Sequence, residues 1–78
     1  PLWDAASAAC VPAVQRLLDE KVDPNSKDED GLTILSSISD LLFDCDFDEI
    51  QWSDALPEEQ QTLELLRRYG AKMSKELA

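Results

Sequence analysis

The chain has 78 residues and a formal charge of −10, from 17 acidic and seven basic residues, with no histidine and two cysteines. That length allows one small domain with a thin core, and 44% apolar residues argue against wholesale disorder. Two isolated thiols, Cys10 and Cys45, form neither a disulfide framework nor a zinc-ligand pattern, which fits an intracellular (cytoplasmic or nuclear) setting. No apolar run reaches the length of a membrane span and no signal peptide is visible. The chain opens on Pro1 rather than Met, as expected of a processed or excised piece. The charge is localised: Asp40 to Glu59 holds eight acids (Asp40, Asp44, Asp46, Asp48, Glu49, Asp54, Glu58, Glu59) and no Lys or Arg. The remainder has nine acids against seven basic residues, so one segment carries the imbalance. Such a field repels nucleic-acid phosphates and acidic membranes and attracts basic surfaces.

In chain order, Leu2 to Ala8 is Ala-rich and predicts a first helix. A break at Cys10-Val11 precedes Pro12, which suits the first position of a helix, where a missing N–H costs nothing. Val14, Leu17 and Leu18 then recur at helical spacing and give that second helix one apolar face. The stretch KVDPNSKDEDGLT is dense in turn formers and predicts a hairpin-like loop, with Gly31 free to take a positive φ. After it the pattern restarts. Leu35 lies 33 residues after Leu2, whereas Leu63, Leu66 and Ala71 lie 49 residues after Val14, Leu17 and Val22. The difference of 16 measures an insertion inside the second unit, placed at about residues 42–57. Phe43 to Asp48 alternates F-D-C-D-F-D, a strand-like period, so an extended loop with docked aromatics is expected there. A final helix is predicted from Pro57, with Glu58 and Glu59 in its first turn, Arg67 and Arg68 in its last, and Gly70 as its stop.

This helix–turn–helix–loop period resembles the ankyrin repeat, whose motif reads D-x-x-G-x-T-P-L-H-x-A-A, a small break with Gly, then V-V-x-x-L-L-x-x-G-A-D-x-N. PLWDAA is similar to its first helix, AVQRLL to its second and VDPN to its exit; DEDGLTIL reopens the motif and LLRRYGA closes it. The resemblance implies an all-α, ankyrin-type single domain over residues 1–78, with repeat one at 1–27, repeat two at 28–74 and a tail at 75–78. There are departures. Trp3 and Ser36 stand where the family often has a loop-bonding histidine, Ala9 and Lys21 where it often has glycine, and Ile38 and Ser39 where it has paired alanines. Two units are also fewer than a solenoid usually needs, so further repeats, a dimer partner or the insertion is expected to cover an open face.

Function is expected to be protein–protein recognition, as the resemblance implies, of a partner carrying a basic patch. The candidate partner-binding residues are Trp3 and Asp4 on the first helix, Asp28 and Asp30 at the loop tip, and Phe43, Asp44, Asp46, Phe47, Asp48, Glu49 and Trp52 in the insertion. Alternating acids and aromatics combine long-range steering with short-range burial. The same aromatics are equally suited to fold back as a cap on the open end, Trp3 to cover a hydrophobic seam, and Asp28 to Asp30 to ordinary turn chemistry. Asp44, Asp46 and Asp48 resemble the opening of a calcium loop, but Glu49 stands where glycine is required and Ala55 where the bidentate Glu belongs. No metal or cofactor is expected. Nor is catalysis, for want of a histidine base or an activated nucleophile. Two further classes share the acidic signature: an immunity-type inhibitor masking a nucleic-acid-binding site, and a chaperone for a basic client.

Overall fold

The computed structural model describes residues 2–77; Pro1 and the last residue of the expected tail, Ala78, lie outside the described residues. Two short helices come first, α1 (Leu2–Ser7) and α2 (Val11–Asp19), then a long loop and α3 (Ile34–Phe43). Two single 3₁₀ turns follow, Phe47–Glu49 and Trp52–Asp54, then α4 (Pro57–Arg68) and a one-turn α5 (Ser74–Leu77). The architecture is all-α among the described residues. The nearest approach to a sheet is one antiparallel bridge, Lys27 to Thr33, closing the loop before α3.

Each helix boundary has a local cause. Pro12 sits in the first turn of α2 and Pro57 opens α4, both where the missing N–H has no intrahelical partner. Thr33 caps α3 and accepts the Ser36 N–H at a long 3.4 Å. At α4 the Glu59 carboxylate reaches back to the Leu56 N–H at 2.9 Å, half of a capping box, since Leu56 has no side-chain acceptor to return. Helices α1, α2 and α4 end in the same Schellman turn. The Cys10 N–H donates to the Ala5 carbonyl and the Ala9 N–H to Ala6, both at 3.0 Å. Val22 to Leu17 and Lys21 to Leu18 repeat this pair, as do Ala71 to Leu66 and Gly70 to Arg67. The left-handed residues are Ala9 (φ 53°), Lys21 (φ 69°) and Gly70 (φ 91°). Helix α3 differs. It runs on to Phe43 and ends at Asp44, also left-handed, with a simple i to i−4 bond to Asp40.

Positions that the sequence spacing pairs at 33 or 49 residues share burial in some cases only; Val22 is half-buried where Ala71 is buried, and Leu18 is buried where Arg67 is exposed. Leu2 and Leu35 are buried, as are Ala6 and Ser39, and Val14 and Leu63. Leu17 and Leu66 differ, because Leu66 is fully buried while Leu17 is only half-buried against the core. The reason is position. Helix α4 lies against α2 and α3 and is flanked by the insertion and α5, whereas α2 has α1 and α4 as neighbours.

Side chains tie the loops together, Asn25 reaching from the first loop to residues 70–72 and Thr33 and Ser36 reaching residues 72–74 from the start of α3. Asn25 accepts the Lys72 N–H at 2.8 Å and donates to the Gly70 carbonyl at 3.0 Å. Buried Thr33 donates to the Lys72 carbonyl at 2.7 Å, and its own N–H meets the Ser74 hydroxyl at 2.8 Å. Ser36 accepts the Ser74 N–H at 2.7 Å, so it bonds loop backbone. On the opposite side Tyr69 donates to Asp19 at 2.5 Å, with Gln15 donating to both. The radius of gyration of 11.2 Å is that of one compact body of this length, about 11.5 Å by size scaling.

Of the expected extended or partly ordered loop with docked aromatics, the docking is seen and the extended backbone is corrected. Phe43 belongs to α3, and the following chain makes 3₁₀ turns through Glu49 N–H to Asp46 and Ile50 N–H to Phe47, then Asp54 N–H to Gln51 and Ala55 N–H to Trp52. A lone extended segment would leave its ladder groups without a neighbouring strand; the turns satisfy them locally.

Candidate functional site

An open, mainly apolar groove of about 300 Å³ lies between α1 and the loop ahead of α3. Leu2, Val22, Leu32 and Ile34 form its apolar surface, Trp3 stands at one side, and Asp23, Ser26, Lys27 and Asp28 line the other. Trp3 is 42% exposed, and its indole N–H donates to the Ser37 hydroxyl of α3 at 3.0 Å, which fixes the ring. Asp4 is exposed on the same helix. Asp28 is committed to the turn: its carboxylate accepts the N–H groups of Asp30 and Leu32 at 2.9 and 3.0 Å, and its carbonyl accepts from Gly31. Asp30 is exposed at the tip. Of the loop candidates, Asp28 therefore shapes the groove wall, while Asp30 is presented to solvent.

The insertion divides its residues by chemistry. Phe43, Phe47 and Trp52 are half-buried and meet edge to face, with ring centroids 6.0 Å apart for Phe43–Trp52 and 5.5 Å for Phe47–Trp52. Together with Leu42 and Cys45 they pack on the main core, and Ile50 is buried in it. The aromatics are thus folded back against the core of the same chain. Asp44, Asp46, Asp48 and Glu49 are all exposed. Lys75 of α5 reaches Asp48 at 2.8 Å and Asp46 at 3.7 Å. The Lys75 hydrogen bond holds Asp48 below the usual carboxylate range, and that same bond raises Lys75. Arg67 stacks over Phe47 at 5.4 Å from the ring centroid and pairs with Glu76 at 2.8 Å. Glu76 is held low chiefly by the Met73 N–H and then by Arg67.

A second open groove, about 430 Å³, carries four carboxylates (Asp44, Glu49, Asp54, Glu59) and no basic side chain over Leu41, Leu42 and Phe43. Cys45 lines it, and burial followed by the nearby acids, Glu49 first, raises its thiol pKa and so disfavours the thiolate. No group of three or more His, Cys, Asp or Glu side chains among the described residues is placed to hold a metal ion, and none of the described helices is long and apolar enough to cross a membrane.

The structure thus brings Trp3 and Asp28 to one groove and divides the insertion's acids, with Asp44, Glu49 and Asp54 lining a second groove and Asp46 and Asp48 meeting Lys75. Sequence reasoning missed Lys75, Arg67 and Ile50. Ile50 carried a usable signal as an aliphatic residue between two aromatics, but Lys75 lies 27 residues from Asp48, with nothing in the local pattern to join them. No protein-family model, curated protein or solved structure matches the chain.

Proposed function

We propose that this chain is an intracellular, non-catalytic protein-recognition module built of two ankyrin-type units, which binds a partner protein carrying a basic patch. The unit assignment draws on the matching Schellman turns at Lys21 and Gly70, 49 residues apart, and on left-handed backbone at Ala9 and Lys21, where the family favours glycine. The observation that carries the functional reading is the apolar groove that unites Trp3 with the Asp28 loop. A preformed apolar cleft edged by a fixed aromatic suits an anchor residue, and the exposed acids of the insertion steer a basic surface toward it. Direct nucleic-acid binding has no place in this reading, given the charge of −10. A second reading, an inhibitor masking a nucleic-acid-binding site or a chaperone for a basic client, draws on the four-carboxylate groove.

The test is affinity measurement on a partner captured from cell extract, with wild type, Trp3→Ala and Leu32→Ser. Either substitution is expected to weaken binding by tenfold or more at unchanged helical content, the loss of a buried anchor being about 1.5–3 kcal/mol. Equal affinity for all three proteins would remove the groove from the interface. Competition by DNA or RNA for the captured partner would instead favour the masking reading.

A further inference from the structure

The insertion is tied to the rest of the molecule in an unusual way. Among the described residues, the backbone hydrogen bonds of residues 45–55 run only within the segment, inside its two 3₁₀ turns. Its polar tie to the remainder is Lys75, on Asp48 and Asp46. The rest of its hold comes from buried Ile50, the half-buried rings of Phe47 and Trp52, and a cation–π contact of the Arg67 guanidinium over Phe47. One end is the left-handed residue Asp44 and the other is Pro57 at the start of α4, two points where regular helix stops. A segment with local backbone bonding, sparse ties and defined ends has what an independent opening unit needs.

We propose that residues 44–56 form a hinged cover that opens as one unit, fastened at a single point by Lys75, and that its release bares Phe43, Phe47 and Trp52 while the helical frame stays folded. The fastening is weak by design of its surroundings. Lys75 and Asp48 side chains are 55% and 61% exposed, and exposed ion pairs contribute little. The opening equilibrium is therefore adjustable by anything that competes for the Lys75 ammonium or neutralises it, including salt. In the open state an aromatic surface appears inside a ring of carboxylates, a different binding face from the closed one. The inference does not depend on the recognition reading above.

Amide hydrogen exchange followed residue by residue tests it, on wild type, Lys75→Ala, Ile50→Ala and the control Arg16→Ala, which removes an exposed pair on α2. In Lys75→Ala the amides of Glu49 and Ile50 are expected to exchange about threefold faster, the effect of one exposed ion pair. Asp54 and Ala55 in the second turn are expected to accelerate by the same factor although Lys75 does not touch them, and in wild type all four amides are expected to share one opening free energy below that of the α2 and α4 amides. Ile50→Ala is expected to raise the same four amides by about thirtyfold, the effect of one buried aliphatic side chain. Acceleration confined to the first turn would show two independent loops and no cover. A wild-type opening free energy for these four amides equal to that of the α4 amides, or no difference between Lys75→Ala and Arg16→Ala, would equally overturn the proposal.

Discussion

Among the described residues, three non-glycine residues take left-handed backbone, and two of them, Ala9 and Lys21, occupy the Schellman position that Gly70 fills at the end of α4. Placing a side chain there costs about 1 kcal/mol relative to glycine. Lys21→Gly is therefore expected to raise stability by about 0.5–1 kcal/mol, and Gly70→Ala to lower it by about 1 kcal/mol, in denaturant titrations. A Cβ at Gly70 meets nothing within 4 Å, so the Gly70→Ala cost is purely conformational. The buried hydroxyls of Ser39 and Thr62 make a second residue-scale case, since neither has a hydrogen-bond partner. Ser39→Ala and Thr62→Val each remove an unsatisfied group from a buried site, and each is expected to stabilise by about 1 kcal/mol. A loss of stability in both would mean that the hydroxyls are bonded in solution.

At the scale of elements, helices α2 and α4 were legible because their signals are local. Pro12 and Pro57 mark starts, and the spacing of Val14, Leu17 and Leu18 marks a face. The insertion was not. F-D-C-D-F-D reads as a strand, yet Phe43 closes α3, and single 3₁₀ turns leave no periodicity to detect. What decides their shape is the core they pack against, which no local pattern encodes. Trp52→Ala is expected to lower stability by about 2 kcal/mol, less than a fully buried tryptophan because the ring is half-exposed. An unchanged melting temperature would show that the ring is not part of the cap.

The fastening by Lys75 also has a pH signature. The groups facing it are Asp46 and Asp48 on the insertion, with Asp40 of α3 lining the same groove and Glu76, paired with Arg67, next in the chain. Asp48 is held low when folded, so its tie is fully present above the ordinary carboxylate pKa of about 3.9 and disappears as pH falls through the lowered folded value. Lys75 is raised when folded, so on the alkaline side the tie is lost only as pH climbs past its ordinary pKa of about 10.4 and through the raised value. Trp52 fluorescence in a Trp3→Phe background is expected to be flat between these limits and to move at both ends. Lys75→Ala is expected to abolish the alkaline step; an identical alkaline step in Lys75→Ala would assign it to another group.

Over the whole molecule, the first and second parts of the chain share one core and a loop-to-loop link through Asn25. Circular dichroism and Trp3 fluorescence are expected to report a single unfolding transition of about 3–6 kcal/mol, modest for so short a chain. An earlier, separate loss of α1 and α2 would show that the halves are independent. The helical class could be read from apolar spacing and the helix-start prolines. The contact of Lys75 with the insertion, and the groove joining Trp3 to the Asp28 loop, are products of tertiary closure across 27 residues in one case and 25 in the other.

The proposed recognition of a basic protein surface meets its most direct test in the association rate constant with a captured partner, measured across ionic strength for wild type and Trp3→Ala. Screening of the exposed acids is expected to slow wild-type association by about tenfold between low salt and 0.5 M, while Trp3→Ala keeps that salt slope and dissociates faster. An association rate indifferent to salt, together with unaltered dissociation of Trp3→Ala, would contradict both the steering and the groove.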